Sequence, residues 1–147
     1  MLCAYPACFI KEDNGYSVLF PDLDTATCGE TLEEAMRMAI DCLAGVLYLM
    51  KKDGETPPAP SQPGEVDPAK VVEDMCGDGE GLPPVPLTGA FVNLVTVDVE
   101  EYAKCHFEKS VKKTLSIPAW LNEAALRANL NFSQVLQEAL KERLEMI

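Results

Sequence analysis

The sequence predicts an α+β protein, a β-β-β-α-β domain followed by a β-α-α segment that pairs with a second copy of itself. Three observations lead there. Residues 2–28 hold short apolar runs broken by Asn14-Gly15 and Pro21-Asp22, residues 32–52 carry one long helical stripe, and residues 112–144 read as one strand and two helices. The predicted boundaries are 1–108 for the first domain and 109–147 for the second.

The first strand, residues 2–11, is apolar but contains Pro6, which cannot donate to a ladder and so predicts an edge strand or a bulge. Asn14-Gly15 signals a two-residue hairpin, and Tyr16 to Phe20 alternates as the returning strand. Residues 25–28 resume extended structure as the third strand of a meander. Thr31-Leu32-Glu33-Glu34 is a capping box, in which the Thr31 hydroxyl serves a first-turn amide and Glu34 reaches back. The helix it starts carries Leu32, Ala35, Met36, Ala39, Leu43, Val46, Leu47 and Met50, and Gly54 ends it.

Residues 54–89 contain 8 of the 11 prolines and an acidic patch around residues 73–80, which predicts a long exposed connection with one or two helical turns near residues 68–75. Residues 91–97 form the fourth strand, and Asp98 caps a short helix over residues 99–107. One helical layer then covers one face of the sheet; the domain keeps an open edge, and its other face is expected to meet another molecule.

In residues 112–117, Lys113, Leu115 and Ile117 share one face, with Lys112, Thr114 and Ser116 on the other. A lone strand has no ladder partner in its own segment, so its backbone groups must pair elsewhere, most simply with the same strand of a second chain. The resulting ribbon is apolar beneath and polar, partly cationic, above, a shape that fits a DNA major groove. Pro118 suits the start of a helix whose inner stripe is Leu121, Ala124, Ala125 and Ala128. Asn131-Phe132-Ser133-Gln134 is a second capping box, opening a helix with Val135, Leu136, Ala139, Leu140 and Leu144. Two short helices cannot make a stable core alone. A homodimer or higher homo-oligomer is expected, with Leu115, Ile117, Val135, Leu136 and Leu140 in the dimer core.

The net charge of −12 is unevenly distributed: residues 1–110 carry 20 acids and 7 bases, and residues 111–147 carry 4 acids and 5 bases. The first part would repel nucleic acid and suits a basic protein partner; the last does neither. Cys42 to Met50 is the longest apolar run and is too short to cross a membrane, so no membrane partner is expected. The N-terminus shows no basic n-region or small-residue cleavage site, which makes the cytoplasm the expected location. Six widely and irregularly spaced cysteines without a secretory signal read as reduced, mostly buried thiols. There is no CxxC pair, and the single histidine, His106, has no partner motif, so neither a metal nor any other cofactor is expected.

Two separated stretches carry a family resemblance: GYSVLFPDLDTATCGETLEEAMRMAIDCL at residues 15–43 and VKKTLSIPAWLNEAALRANLNFSQVLQEAL at residues 111–140. Together they resemble the HicB-type antitoxins of type II toxin–antitoxin systems, in the subset ending in a ribbon-helix-helix domain. The resemblance implies a partial RNase H-like N-terminal domain that binds and neutralises a HicA-type mRNA-cleaving toxin. It implies a C-terminal domain that binds operator DNA and represses its own operon. DNA contacts would come from Lys112, Thr114 and Ser116 on the ribbon, with a phosphate held at the helix start around Asn131, Phe132 and Ser133. Lys112 is the only outward cation on the strand, which implies modest affinity per dimer. Candidate toxin contacts are Phe20, Asp22, Leu23 and Asp24.

No catalytic residue is expected. An RNase H-type site needs acids on adjacent strands to hold two metal ions; residues 3–10 contain none, and Asp22 and Asp24 lie in a proline-bearing turn. The competing reading is a stand-alone ribbon-helix-helix transcription regulator whose N-terminal domain senses a small ligand.

Overall fold

Strands β1 (Leu2–Glu12), β2 (Gly15–Phe20), β3 (Thr25–Gly29) and β4 (Phe91–Asp98) form one antiparallel sheet in the order β3-β2-β1-β4. The structure is a computed structural model and describes residues 1–77 and 86–145. Helices α1 (Leu32–Asp53), α2 (Pro68–Cys76) and α3 (Val99–His106) complete the first of two units, Met1–Lys109. The second unit, Ser110–Ile147, holds α4 (Ala119–Arg127) and α5 (Phe132–Arg143). The class is α+β, as expected.

The hairpin differs in detail from its sequence signal. Glu12 pairs with Gly15, so the turn residues are Asp13 and Asn14, and Gly15 opens β2. Gly15 has φ +143°, and a Cβ there would press on the backbone of Gly29 and Glu30. The glycine therefore serves both the positive φ at the exit of the turn and the close β2–β3 approach.

Pro6 does not mark an edge. β1 is central, flanked by β2 and β4. The β1–β2 ladder begins at Cys8, so the missing N–H of Pro6 falls where β2 has already ended. A proline is tolerated in this central strand because only one side of it is paired at that residue.

Alternation along the strands splits the apolar residues between two faces. Tyr5, Ala7, Phe9, Val18, Phe20, Val95 and Val97 meet Ala35, Ala39, Leu43, Ala44 and Leu47 of α1, with Val99 and Ala103 of α3 alongside. Small alanines on α1 let the helix lie close to the sheet. Cys8, Ile10 and Leu19 point the other way and are covered by Val71, with Val66, Val72 and Met75 packed around it. The expectation that this face is left open is thus corrected: α2 lies over part of it.

The proline-rich connection stays mostly exposed up to Gly77, as expected, but it is anchored. The Tyr5 hydroxyl donates to the Pro58 carbonyl at 2.6 Å, and Asp67 caps α2 by accepting from Ala69 N at 3.0 Å. Each anchor removes freedom that composition alone would grant. Asp78 and Glu80, part of the expected acidic patch, lie outside the described residues.

The caps follow their signals with small changes. Thr31 Oγ1 accepts from Glu34 N at 3.1 Å, while the Glu34 carboxylate accepts from Glu30 N, one residue ahead of the usual box partner. Gly54, at φ +76°, closes α1 with its N–H on Lys51 O. In the second unit Asn131 Oδ1 accepts from Gln134 N at 3.2 Å, but the Gln134 amide turns to Glu138, so only half of that box forms.

The thiols are free but not mostly buried: Cys8 is buried, whereas Cys28, Cys76 and Cys105 are exposed. Cys28 sits on an outward position of β3, and the other two near helix ends, where no second layer covers them. Burial, with the Asp67 charge secondary, pushes the Cys8 thiol up to about 11. Peptide mapping after a brief disulfide-reagent treatment of native protein should find Cys28, Cys76 and Cys105 modified and Cys8 untouched until denaturation. A second test concerns the α1–β3 contact: Gly29→Ala places a Cβ 2.7 Å from Ala35 Cα. The helix must shift, so a stability loss of about 1–3 kcal/mol is expected in urea unfolding at unchanged m-value.

Candidate functional site

The second unit shows an alternating arrangement. Residues 112–117 carry no ladder within one chain and are all exposed, because no other segment of the unit is a strand that could pair with them. Even so, their side chains separate by parity. Lys113, Leu115 and Ile117 line a groove of about 580 Å³ with Leu121, Ala125, Leu130, Phe132, Val135, Leu136 and Ala139, whereas Lys112, Thr114 and Ser116 take no part in it. The groove is floored by both helices and walled by the apolar face of the segment.

Four of the five candidate dimer-core residues, Leu115, Ile117, Val135 and Leu136, line this groove. Leu140 lies outside it on α5 and stays exposed. Leu130 joins the lining although neither helix stripe included it. It follows Asn129, whose left-handed φ of 53° reverses the chain after α4, and its N–H closes on Ala125 O at 3.1 Å. An asparagine just past an apolar stripe, followed by leucine, was the available signal.

At the α5 start, Asn131 spends its side chain on the cap, and Phe132 lines the groove from the other side of the backbone. Ser133 also reaches the groove wall. The first-turn N–H groups of α5 are thereby supported by a carboxamide rather than by a charged group. Such an end can accept an anion.

In the first unit the residues 20–24 are divided between fold and surface. Phe20 is wholly buried and Leu23 nearly so, both within the main core, so neither presents its side chain outward. Asp22 accepts from Ser61 N at 2.9 Å and Ser61 Oγ at 2.6 Å, which ties the 3-10 turn Pro21–Leu23 to the proline-rich connection. Asp24 alone is exposed, held in the left-handed conformation at φ 46°. Asp22 and Asp24 do not form part of an acid cluster suited to metal; among the described residues no group of three His, Cys, Asp or Glu side chains is so arranged. No helix among the described residues is long and apolar enough to cross a membrane.

No protein-family profile matches the chain. Two curated proteins of Photorhabdus laumondii subsp. laumondii are similar to parts of it. Antitoxin HicB 2 is 40% identical over 62 residues, which is 42% of this chain and 45% of that protein. Antitoxin HicB 1 is 42% identical over 55 residues, 37% of this chain and 36% of that protein. The chain thus spans less than half the length of either curated relative. Among solved structures, one chain of a toxin–antitoxin complex from Streptococcus pneumoniae is 32% identical with a TM-score of 0.66, covering 97% of this chain and 99% of that one. With both units included in that match, the chain belongs to the HicB-type antitoxins.

Proposed function

We propose that this protein is a non-catalytic antitoxin that binds and neutralises a HicA-type mRNA-cleaving toxin and represses its own operon through the second unit. The observation that carries the reading is the similarity, across 97% of the chain, to a chain of a toxin–antitoxin complex. The first unit, a partial RNase H-like domain in this reading, supplies the toxin-binding part. Its 20 acids against 7 bases favour a basic partner through long-range attraction and faster encounter. Asp24 is the member of the 20–24 turn that can reach such a partner, while Asp22 keeps the turn in place through Ser61.

The second unit acts as a ribbon-helix-helix domain. Two copies of residues 112–117 pair antiparallel, which satisfies the backbone groups that one chain leaves unpaired and closes the two grooves over a shared core. Lys112, Thr114 and Ser116 then face the major groove, where a lysine can donate to guanine O6 or N7 and the hydroxyls can serve either base edge. The amides at the start of α5, around Asn131, Phe132 and Ser133, hold a backbone phosphate and set the register.

Two measurements test this division. Lys112→Ala is expected to weaken binding to the protein's own promoter by roughly 1–3 kcal/mol at fixed salt, with the dimer intact. Unchanged anisotropy titrations would show that the outward face is assigned wrongly. Leu136→Lys puts a charge into the groove floor and is expected to abolish promoter binding while toxin still co-purifies. If toxin capture is lost and the first unit remains folded, toxin binding depends on the second unit and the proposed division fails.

A further inference from the structure

The two edges of the sheet differ. β3 has five residues, and α1 lies so close over it that Gly29 cannot take a Cβ without backbone movement. β4 has eight residues and runs against β1 in one unbroken register, from Leu2–Asp98 to Phe9–Phe91, without a bulge. Residues 91–97 contain neither a charge nor a proline. β4 therefore lacks four of the usual devices that keep an edge strand from pairing, namely shortness, a bulge, proline and lysine. The 3-10 turn Pro63–Glu65 lies near it, but among the described residues it makes no backbone hydrogen bond to the strand.

The backbone on that edge can be oriented from the register. Pro6 pairs with Leu94 and has no N–H to give, so this pair is of the kind that exchanges no hydrogen bonds. The N–H and C=O groups of Leu94, and of Val92 and Thr96 two residues either way, then project from the free side. On the sheet face they share, Leu94 is 44% exposed and Leu2, near the same end, 66% exposed. This is the part of the face that the Val71 cluster of α2 does not include.

We propose that β4 is a second self-association edge, at which two copies of this chain pair antiparallel and join their four-stranded sheets into one. The occupant follows from charge. A strand from a strongly basic partner would find no carboxylate along residues 91–97, whereas a second copy brings an equally neutral stripe. Two units this acidic repel over most of their surface and can approach along an uncharged edge. A two-fold axis at Leu94 sets Val92 opposite Thr96, places the two exposed Leu94 side chains together and gives every outward amide a carbonyl. The pairing does not depend on the groove of the second unit.

Hydrogen exchange on the full-length protein alone tests this. At concentrations where the protein is self-associated, the amides of Val92, Leu94 and Thr96 should exchange about tenfold or more slowly than free edge amides. That protection should fade on dilution. Leu94→Lys, with folding checked by circular dichroism, should release the same three amides and leave those of Cys3 and Tyr5 protected. Free exchange in the associated wild type overturns the proposal, as does protection that persists on dilution or survives Leu94→Lys. Leu136→Lys separates the two pairings: lost promoter binding with β4 still protected is expected. Unchanged promoter binding would instead count against the groove and leave the β4 result standing.

Discussion

Within Ser110–Ile147 most of the described large apolar side chains find no full cover in their own unit. Leu115, Ile117, Leu121, Phe132, Val135 and Leu140 each remain exposed, and only Ala125 and Leu136 are less so. A segment of this size, with two helices of 9 and 12 residues, cannot offset the conformational entropy of folding by internal burial. α5 starts with the Asn131 cap and α4 with Pro118 and no side-chain cap, but such signals decide where a helix starts rather than whether two helices stay packed. In the proposed ribbon-helix-helix dimer, stability of this unit and association of two chains would be one equilibrium, and dilution should affect both together.

The first unit has the opposite character. It covers one face of its sheet and part of the other, and its polar side chains tie irregular segments to regular ones. Asp22 is the clearest case, because its two oxygens hold Ser61 and so bring the proline-rich connection back to the turn after β2. A carboxylate spent on two hydrogen bonds within the chain is a poor contact for a partner. Its neighbour Asp24, in a left-handed conformation, has its carboxylate free of that duty. The negative charge of the unit remains available as a field even where individual acids are committed.

Helix starts were legible in the sequence because their causes are local: Thr31, Asp98 and Asn131 each accept from the amide three residues on. What was not legible depended on distant partners. Pro6 reads as an edge residue until the short reach of β2 is known. Val71 looks like part of a solvated linker until Cys8, Ile10 and Leu19 require a cover. The same holds for the site. Phe20 and Leu23 belong to the first of the two stretches that carry the family resemblance, yet their side chains are core. The parity of residues 112–117 was legible because alternation is a property of the chain itself, and the groove lining follows it.

That parity also restricts how two copies can meet. Residues directly opposite one another in an antiparallel pair project to the same side. An odd-to-even register would set Leu115 opposite Thr114 or Ser116 and mix apolar with polar on both faces. Only pairings of odd with odd keep Lys113, Leu115 and Ile117 together over the grooves. A two-fold at Thr114 meets this condition, with Lys112 facing Ser116 across the ribbon, so the two cations sit at opposite ends instead of repelling at the centre. A two-fold at Leu115 keeps the faces as well, but it sets Thr114 opposite Ser116 and leaves Lys112 beyond the paired residues. In the proposed dimer, the charge offered to DNA and the burial needed for folding would thus be set by one choice of register.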